Sequence, residues 1–187
     1  MKNQGDNVDI NVENVVASGS AGTTLDLQKI SMALDDAEYV PEKFPGLIYK
    51  LKEPKTAMLL FTSGKLVCTG AKNIEMVNEA VGKVLDNIRK IGIDVADDPE
   101  IKIQNIVATA DMKKELNLNT IAISLGLEKV EYEPEQFPGL VYRVDKPRVV
   151  MLLFGSGKIV CTGAKEIKDI DLALQEVIKE LTDAGLI

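Results

Sequence analysis

The sequence predicts an α+β fold written twice: two pseudo-symmetric halves, each of antiparallel strands and two helices. Three observations lead there. The segment MLLFTSGKLVCTGAK (58–72) returns as MLLFGSGKIVCTGAK (151–165), and the longer stretches 39–72 and 132–165 share 22 of 34 positions. Strand-like runs punctuated by Pro-Gly and Ser-Gly occur in both copies, and each copy is followed by apolar residues at helical spacing. The match extends upstream: VENVVAS (12–18) pairs with IQNIVAT (103–109), and LDLQKISMAL (25–34) with LNLNTIAISL (116–125). A period of about 90 residues is far too long for a solenoid.

Taken in chain order, residues 10–18 and 101–109 are rich in Val and Ile and read as strands. Residues 24–35 and 117–126 read as a short helix. Three strand-like runs follow in the first half, at 38–42, 47–52 and 57–70, with turns at FPGL and TSGK. Pro and Gly at the centre of FPGL favour a type II turn, which leaves Phe44 and Phe137 at its edge. Ile74, Val77, Val81, Val84, Leu85 and Ile88 then repeat at helical spacing, as do Ile167, Ile170, Leu174, Val177, Ile178 and Leu181 in a helix over 166–182. GIDVADDPE (92–100) reads as a linker between a first repeat at 8–91 and a second at 101–183.

Composition narrows the function. The chain has no histidine and no CxxC, which disfavours a metal site and removes the usual general base and the Ser–His and Cys–His nucleophile pairs. FGSGKIV only faintly resembles a phosphate loop, because G-x-x-x-x-G-K-[ST] is absent. Neither an enzyme nor a cofactor is therefore expected. Cys68 and Cys161 occupy equivalent places in the two copies and read as small buried residues rather than a disulfide. No apolar run reaches membrane-spanning length and the N-terminus lacks an apolar signal core, so the chain is expected to be soluble and intracellular. The net charge is −7, yet residues 41–72 carry +4 and residues 134–165 carry +3, which leaves −14 on the remainder. Such asymmetry marks two basic segments on an acidic body.

Period-two alternation divides the repeated segment into two faces. Met58, Leu60, Leu66 and Cys68 point toward the helices. Leu59, Phe61, Ser63, Lys65, Val67 and Thr69 point away, as do Leu152, Phe154, Ser156, Lys158, Val160 and Thr162. The second set mixes apolar groups with hydroxyls and a lysine, which a core would accept only at a cost. Either the two halves pack these faces together, or the faces form an interaction surface. All four phenylalanines of the chain, Phe44, Phe61, Phe137 and Phe154, belong to the repeated block.

QNIVAT, EYEPEQFPGLVYR, FGSGKIVCTGAK and their first-half counterparts resemble the TATA-binding protein family, over about residues 8–182. The short N-terminal extension and acidic composition are most similar to archaeal members. The resemblance implies a saddle-shaped, curved antiparallel β-sheet of ten strands with helices on its convex side, and a concave face on the minor groove of A·T-rich promoter DNA. On that resemblance, Phe44 with Phe61 and Phe137 with Phe154 wedge between base steps and bend the duplex. Asn14, Asn105, Thr69 and Thr162 are the polar base contacts, and Val16, Val67, Leu59, Val107, Val160 and Leu152 the apolar ones. Lys50, Lys65, Lys72, Arg143, Lys158 and Lys165 contact phosphates. Glu133 and Glu135 meet transcription factor B, through which the RNA polymerase machinery is recruited.

Two departures from the family pattern stand out. Glu13 replaces a frequent glutamine, and Lys50 a frequent arginine that Arg143 keeps. The apolar face also leaves open a homodimer of the free protein. The expected location is the cytoplasm or nucleoid of an archaeal cell, or the nucleus of a eukaryotic one. The rival is a duplicated scaffold that binds a protein or small ligand through the same sheet without promoter recognition. Asparagines also form turns at strand ends, which is the competing reading for Asn14 and Asn105.

Overall fold

The computed structural model describes residues 8–187. It divides into two compact units, one of Glu13–Gln104 and one of Asn105–Ile187 with the described residues before Glu13; the division cuts the first strand of each repeat near its start, and each such strand is assigned to the unit that holds most of it. The first unit uses β1 (Ile10–Ser20), α1 (Leu27–Ala33), β2 (Ala37–Glu38), β3 (Leu47–Leu51), β4 (Thr56–Leu60), β5 (Lys65–Ala71) and α2 (Ile74–Lys90). Its strands pair antiparallel in the order β2-β3-β4-β5-β1. The second repeats this with β6 (Lys102–Asp111), α3 (Leu118–Leu125), β7 (Val130–Glu131), β8 (Leu140–Val144), β9 (Val149–Leu153), β10 (Lys158–Ala164) and α4 (Ile167–Asp183). Here the order is β7-β8-β9-β10-β6. Each unit is thus α+β, and the duplication in sequence is a duplication in structure.

One face of each sheet is closed by the long helix. Val77, Ala80, Val81, Val84, Leu85 and Ile88 of α2 are buried, as are Met58, Leu60, Leu66 and Cys68 on β4 and β5. Ile170, Ala173, Leu174, Val177 and Leu181 of α4 are buried likewise, with Met151, Leu153, Ile159 and Cys161 beneath them. Each fully buried Val or Leu is worth roughly 1.5–3 kcal/mol, so these stripes hold the units together. Asn73 starts α2 by accepting the Met76 N–H at 2.8 Å. The cysteines are free and buried, and burial pushes the Cys68 thiol up to about 11 and that of Cys161 up to about 12. Both are therefore inert thiols packed as small apolar groups.

Three local readings change. The run 57–70 is two strands, β4 and β5, parted at the expected TSGK turn, where Gly64 adopts φ 91° and closes a tight hairpin with Phe61 N–H donating to Lys65 O at 3.0 Å. Of the run 38–42 only Glu38 is strand, in the two-residue β2. Pro41 has no donor, and the N–H groups of Lys43 and Phe44 both turn back to the Val40 carbonyl at 3.0 Å. At FPGL, Gly46 and Gly139 are absent from the left-handed glycines, so no type II turn forms there. Residues 92–100 pack against the first unit. Val95 is buried, Ala96 N–H donates to Ala21 O at 2.8 Å, and Arg89 reaches the Ala96 carbonyl.

The outer edges differ between the units. Tyr49 of β3 accepts a hydrogen bond from Asn87 of α2 at 2.8 Å. Tyr142 of β8 instead donates to Glu180 of α4, which also takes Lys129. Burial pushes Glu180 upward, but these two donors outweigh it and hold the carboxyl below its ordinary range. No helix among the described residues is long and apolar enough to cross a membrane.

Candidate nucleic-acid interface

The face away from the helices is only half-buried, as alternation requires. In the first unit Leu59 stands directly across from Val67, and Thr69 across from Ala57. In the second, Leu152 stands across from Val160, and Thr162 across from Val150. Val16 and Val107, on β1 and β6, are half-exposed between neighbours that enter the core, Val15 and Ala17 on β1 and Ile106 and Ala108 on β6. No helix of its own unit covers this apolar floor.

Asn14 and Asn105 are not turn formers; each lies inside a strand and reaches a neighbouring one. The Gly70 N–H donates to Asn14 Oδ1 at 2.7 Å, and Asn14 Nδ2 donates to Thr69 Oγ1 at 3.2 Å. In the second unit the Gly163 N–H donates to Asn105 Oδ1 at 2.7 Å, and Asn105 Nδ2 to Thr162 Oγ1 at 3.3 Å. Each site thus unites an asparagine and a threonine that lie 55 or 57 residues apart.

The phenylalanines meet in pairs. Phe44 and Phe61 lie with ring centroids 5.9 Å apart at 66°, and Phe137 and Phe154 at 5.9 Å and 69°. Both are edge-to-face contacts, the arrangement aromatic quadrupoles favour. The glycine of FPGL makes the pair possible. A Cβ on Gly46 would lie 2.8 Å from Phe44 and 3.0 Å from Phe61; on Gly139 it would lie 2.7 Å from Phe137 and 3.0 Å from Phe154. Gly139→Ala should therefore splay the rings at the surface, where they can yield. We expect a thermal midpoint within a few degrees of the parent, since the loss is about 1 kcal/mol; a fall of about ten degrees or more would show that the rings cannot yield.

The six predicted cations are all exposed, but not alike. Lys72 faces Glu13 at 3.4 Å and Arg143 faces Glu131 at 3.6 Å. Among the described residues, Lys50, Lys65, Lys158 and Lys165 form no ion pair. Gln104, which stands where Glu13 does in the other repeat, donates to Ser18 instead, at 2.8 Å. Glu133 and Glu135 are exposed on the turn before Phe137, whose N–H caps the Glu133 carbonyl at 2.9 Å.

Sequence reasoning read the glycines of FPGL and of the Ser-Gly hairpins only as turn residues, missed the steric role of Gly46 and Gly139 under the rings, and passed over Gly70 and Gly163 beside the asparagines. Their recurrence at one fixed offset was the available signal.

Comparison with known proteins agrees with this geometry. The family model described as transcription factor TFIID (or TATA-binding protein, TBP) matches residues 9–91 and again 100–184. The TATA-box-binding protein of Thermoplasma acidophilum is 62% identical over 178 residues, covering 95% of this chain and 97% of its own. That of Archaeoglobus fulgidus is 56% identical over 177 residues, with the same two shares. Among solved structures, Methanococcus jannaschii TBP superposes with a TM-score of 0.87 at 51% identity, covering 94% of this chain and 99% of that one.

Proposed function

The chain belongs to the TATA-binding protein family, and from that membership we propose that it is a general transcription factor that binds A·T-rich promoter DNA in the minor groove. One observation carries the reading. Each unit presents the same uncovered apolar floor, with an asparagine–threonine pair and an edge-to-face phenylalanine pair on elements next to it. The minor groove of A·T pairs shows only the A N3 and T O2 acceptors, nearly alike on both strands. A half-site used twice suits such a target.

In this reading residues 8–91 and 101–183 are the two repeats. Phe44 with Phe61 and Phe137 with Phe154 insert at base steps, trading a few kcal/mol of unstacking for a bent duplex with more contact. Asn14, Asn105, Thr69 and Thr162 donate to base edges over the floor of Val16, Leu59, Val67, Val107, Leu152 and Val160. Lys50, Lys65, Lys72, Arg143, Lys158 and Lys165 neutralise phosphates, which sets affinity and position rather than sequence choice. Glu133 and Glu135 offer transcription factor B an acidic edge, and through it the polymerase is recruited. The free protein can pair with a second copy through the same apolar face.

Titration of an A·T-rich TATA-like duplex and a G·C-rich control over a salt series tests this. The TATA-like duplex should bind more tightly throughout. Six displaced counterions give a slope of log K on log salt of roughly −5, and four give roughly −3.5. Because Lys72 and Arg143 already face carboxylates, a slope between those values is expected. Equal affinity for both duplexes would overturn the promoter reading in favour of a scaffold that binds another partner.

A further inference from the structure

Resting on the minor-groove reading above, we propose that Gly70 and Gly163 are positioning residues for base readout: each holds a left-handed β-bulge that turns the neighbouring asparagine and threonine into outward-facing donors. The bulge is visible in the register. Ala17 pairs with Cys68 but Val15 with Ala71, so two steps along β1 match three along β5. On β10 and β6, Cys161 pairs with Ala108 and Ala164 with Ile106, the same two-against-three count.

Gly70 has φ 91° and Gly163 φ 96°. Room does not require glycine here. A Cβ on Gly70 would meet nothing closer than 3.5 Å, and on Gly163 nothing closer than 3.7 Å. The backbone conformation does, since φ above zero is costly for residues with a Cβ. That conformation aims the glycine N–H at the asparagine Oδ1, 2.7 Å away in both units.

A direction of hydrogen bonding follows. Once Oδ1 accepts from the backbone, the other end of the amide must be the NH2 group. One of its hydrogens goes to the threonine oxygen. The second remains for the groove, and the threonine, already accepting, keeps its own O–H to donate. Each unit thus offers two donors to A N3 and T O2. A G·C pair adds the guanine N2–H2 donor at the same place, where donor would meet donor. The glycines touch no base in this scheme; they act through Asn14, Asn105, Thr69 and Thr162.

The test compares three duplexes: the TATA-like sequence, the same sequence with 3-deazaadenine for adenine at the central pairs, and the G·C-rich control. 3-Deazaadenine lacks the N3 acceptor but keeps Watson–Crick pairing. The parent protein should bind the deaza duplex roughly 5- to 100-fold more weakly. Gly70→Ala with Gly163→Ala should shrink that penalty to about threefold or less, and Gly70→Asn with Gly163→Asn should restore it, because asparagine tolerates positive φ. General destabilisation would weaken all three duplexes and leave the ratios unchanged. A full deaza penalty in the alanine variant overturns the positioning role. A parent that prefers A·T over G·C without any deaza penalty overturns the donor chain and leaves the minor-groove reading intact. A parent with no A·T preference overturns that reading itself. Should the alanine variant fail to fold, Asn14→Asp with Asn105→Asp decides. It keeps the acceptor for glycine but removes the outward amide donor, so a retained deaza penalty would overturn the proposal.

Discussion

Phe154→Ala is expected to leave the fold standing while removing most of the DNA bend at its end of the site. The ring is half-buried beyond the end of β9, and its aromatic contact is the edge-to-face one with Phe137, itself 38% exposed. Losing such a contact costs about 0.5–1.5 kcal/mol, small against the stability of a domain of this size. In the proposed complex the same ring would separate stacked bases, a step of a few kcal/mol. Affinity should therefore fall by about tenfold or more, at 1.4 kcal/mol per tenfold. Energy transfer between dyes at the duplex ends should report a straighter DNA. Lys158→Ala supplies the contrast. It removes one of the proposed phosphate contacts, so the salt slope should become shallower by about 0.9 with the bend retained. A Phe154→Ala complex bent as strongly as the parent would end the wedge assignment.

Why this ring was legible in sequence, and its supporting glycine was not, comes down to range. Strand alternation is local. It separates Met58, Leu60, Leu66 and Cys68 from Leu59, Phe61, Val67 and Thr69 without knowledge of any other element, and burial follows that division. The duplication then supplied the second copy of each inference. Gly46 was misread because Pro-Gly is a local turn signal, while its actual role is steric. It leaves space for Phe44 and for Phe61, which a different strand delivers. The bulges at Gly70 and Gly163 were invisible for the same reason. A bulge is a property of the register between two strands, and β1 meets β5 across more than fifty residues of chain. The pairing of Lys72 with Glu13 likewise joins residues 59 apart. Local pattern showed which side chains share a face; only the folded chain showed which of them touch.

Gly157→Ala should be the most destabilising of the glycine substitutions, and for a reason that separates steric from torsional cost. A Cβ on Gly157 would lie 2.0 Å from the Lys114 carbonyl oxygen and 3.0 Å from its carbon. Both partners are backbone, so neither side can rotate away. The clash falls where the loop after β6 is clamped to the hairpin between β9 and β10. Met112 N–H donates to Gly157 O at 3.0 Å and Leu116 N–H to Gly155 O at 2.9 Å. Relief requires opening that clamp, which frees two backbone hydrogen bonds and loosens Leu116 and Leu118, both buried. With φ at 87° adding torsional strain, a loss of about 3–5 kcal/mol is expected. At 2–4 °C per kcal/mol the thermal midpoint should fall by roughly 10 °C. Gly64, whose Cβ would lie 2.1 Å from the Thr23 carbonyl oxygen, should behave the same way. Gly163→Ala is the control. Its φ is as positive, but its nearest contact is at 3.7 Å, so only about 1–2 kcal/mol of torsional cost applies. Calorimetric midpoints that fail to rank Gly157→Ala well below Gly163→Ala would mean that the clamp does not hold the hairpin. Phe154 enters that hairpin from the end of β9, so the position of its ring, and with it the proposed wedge, depends on the same clamp.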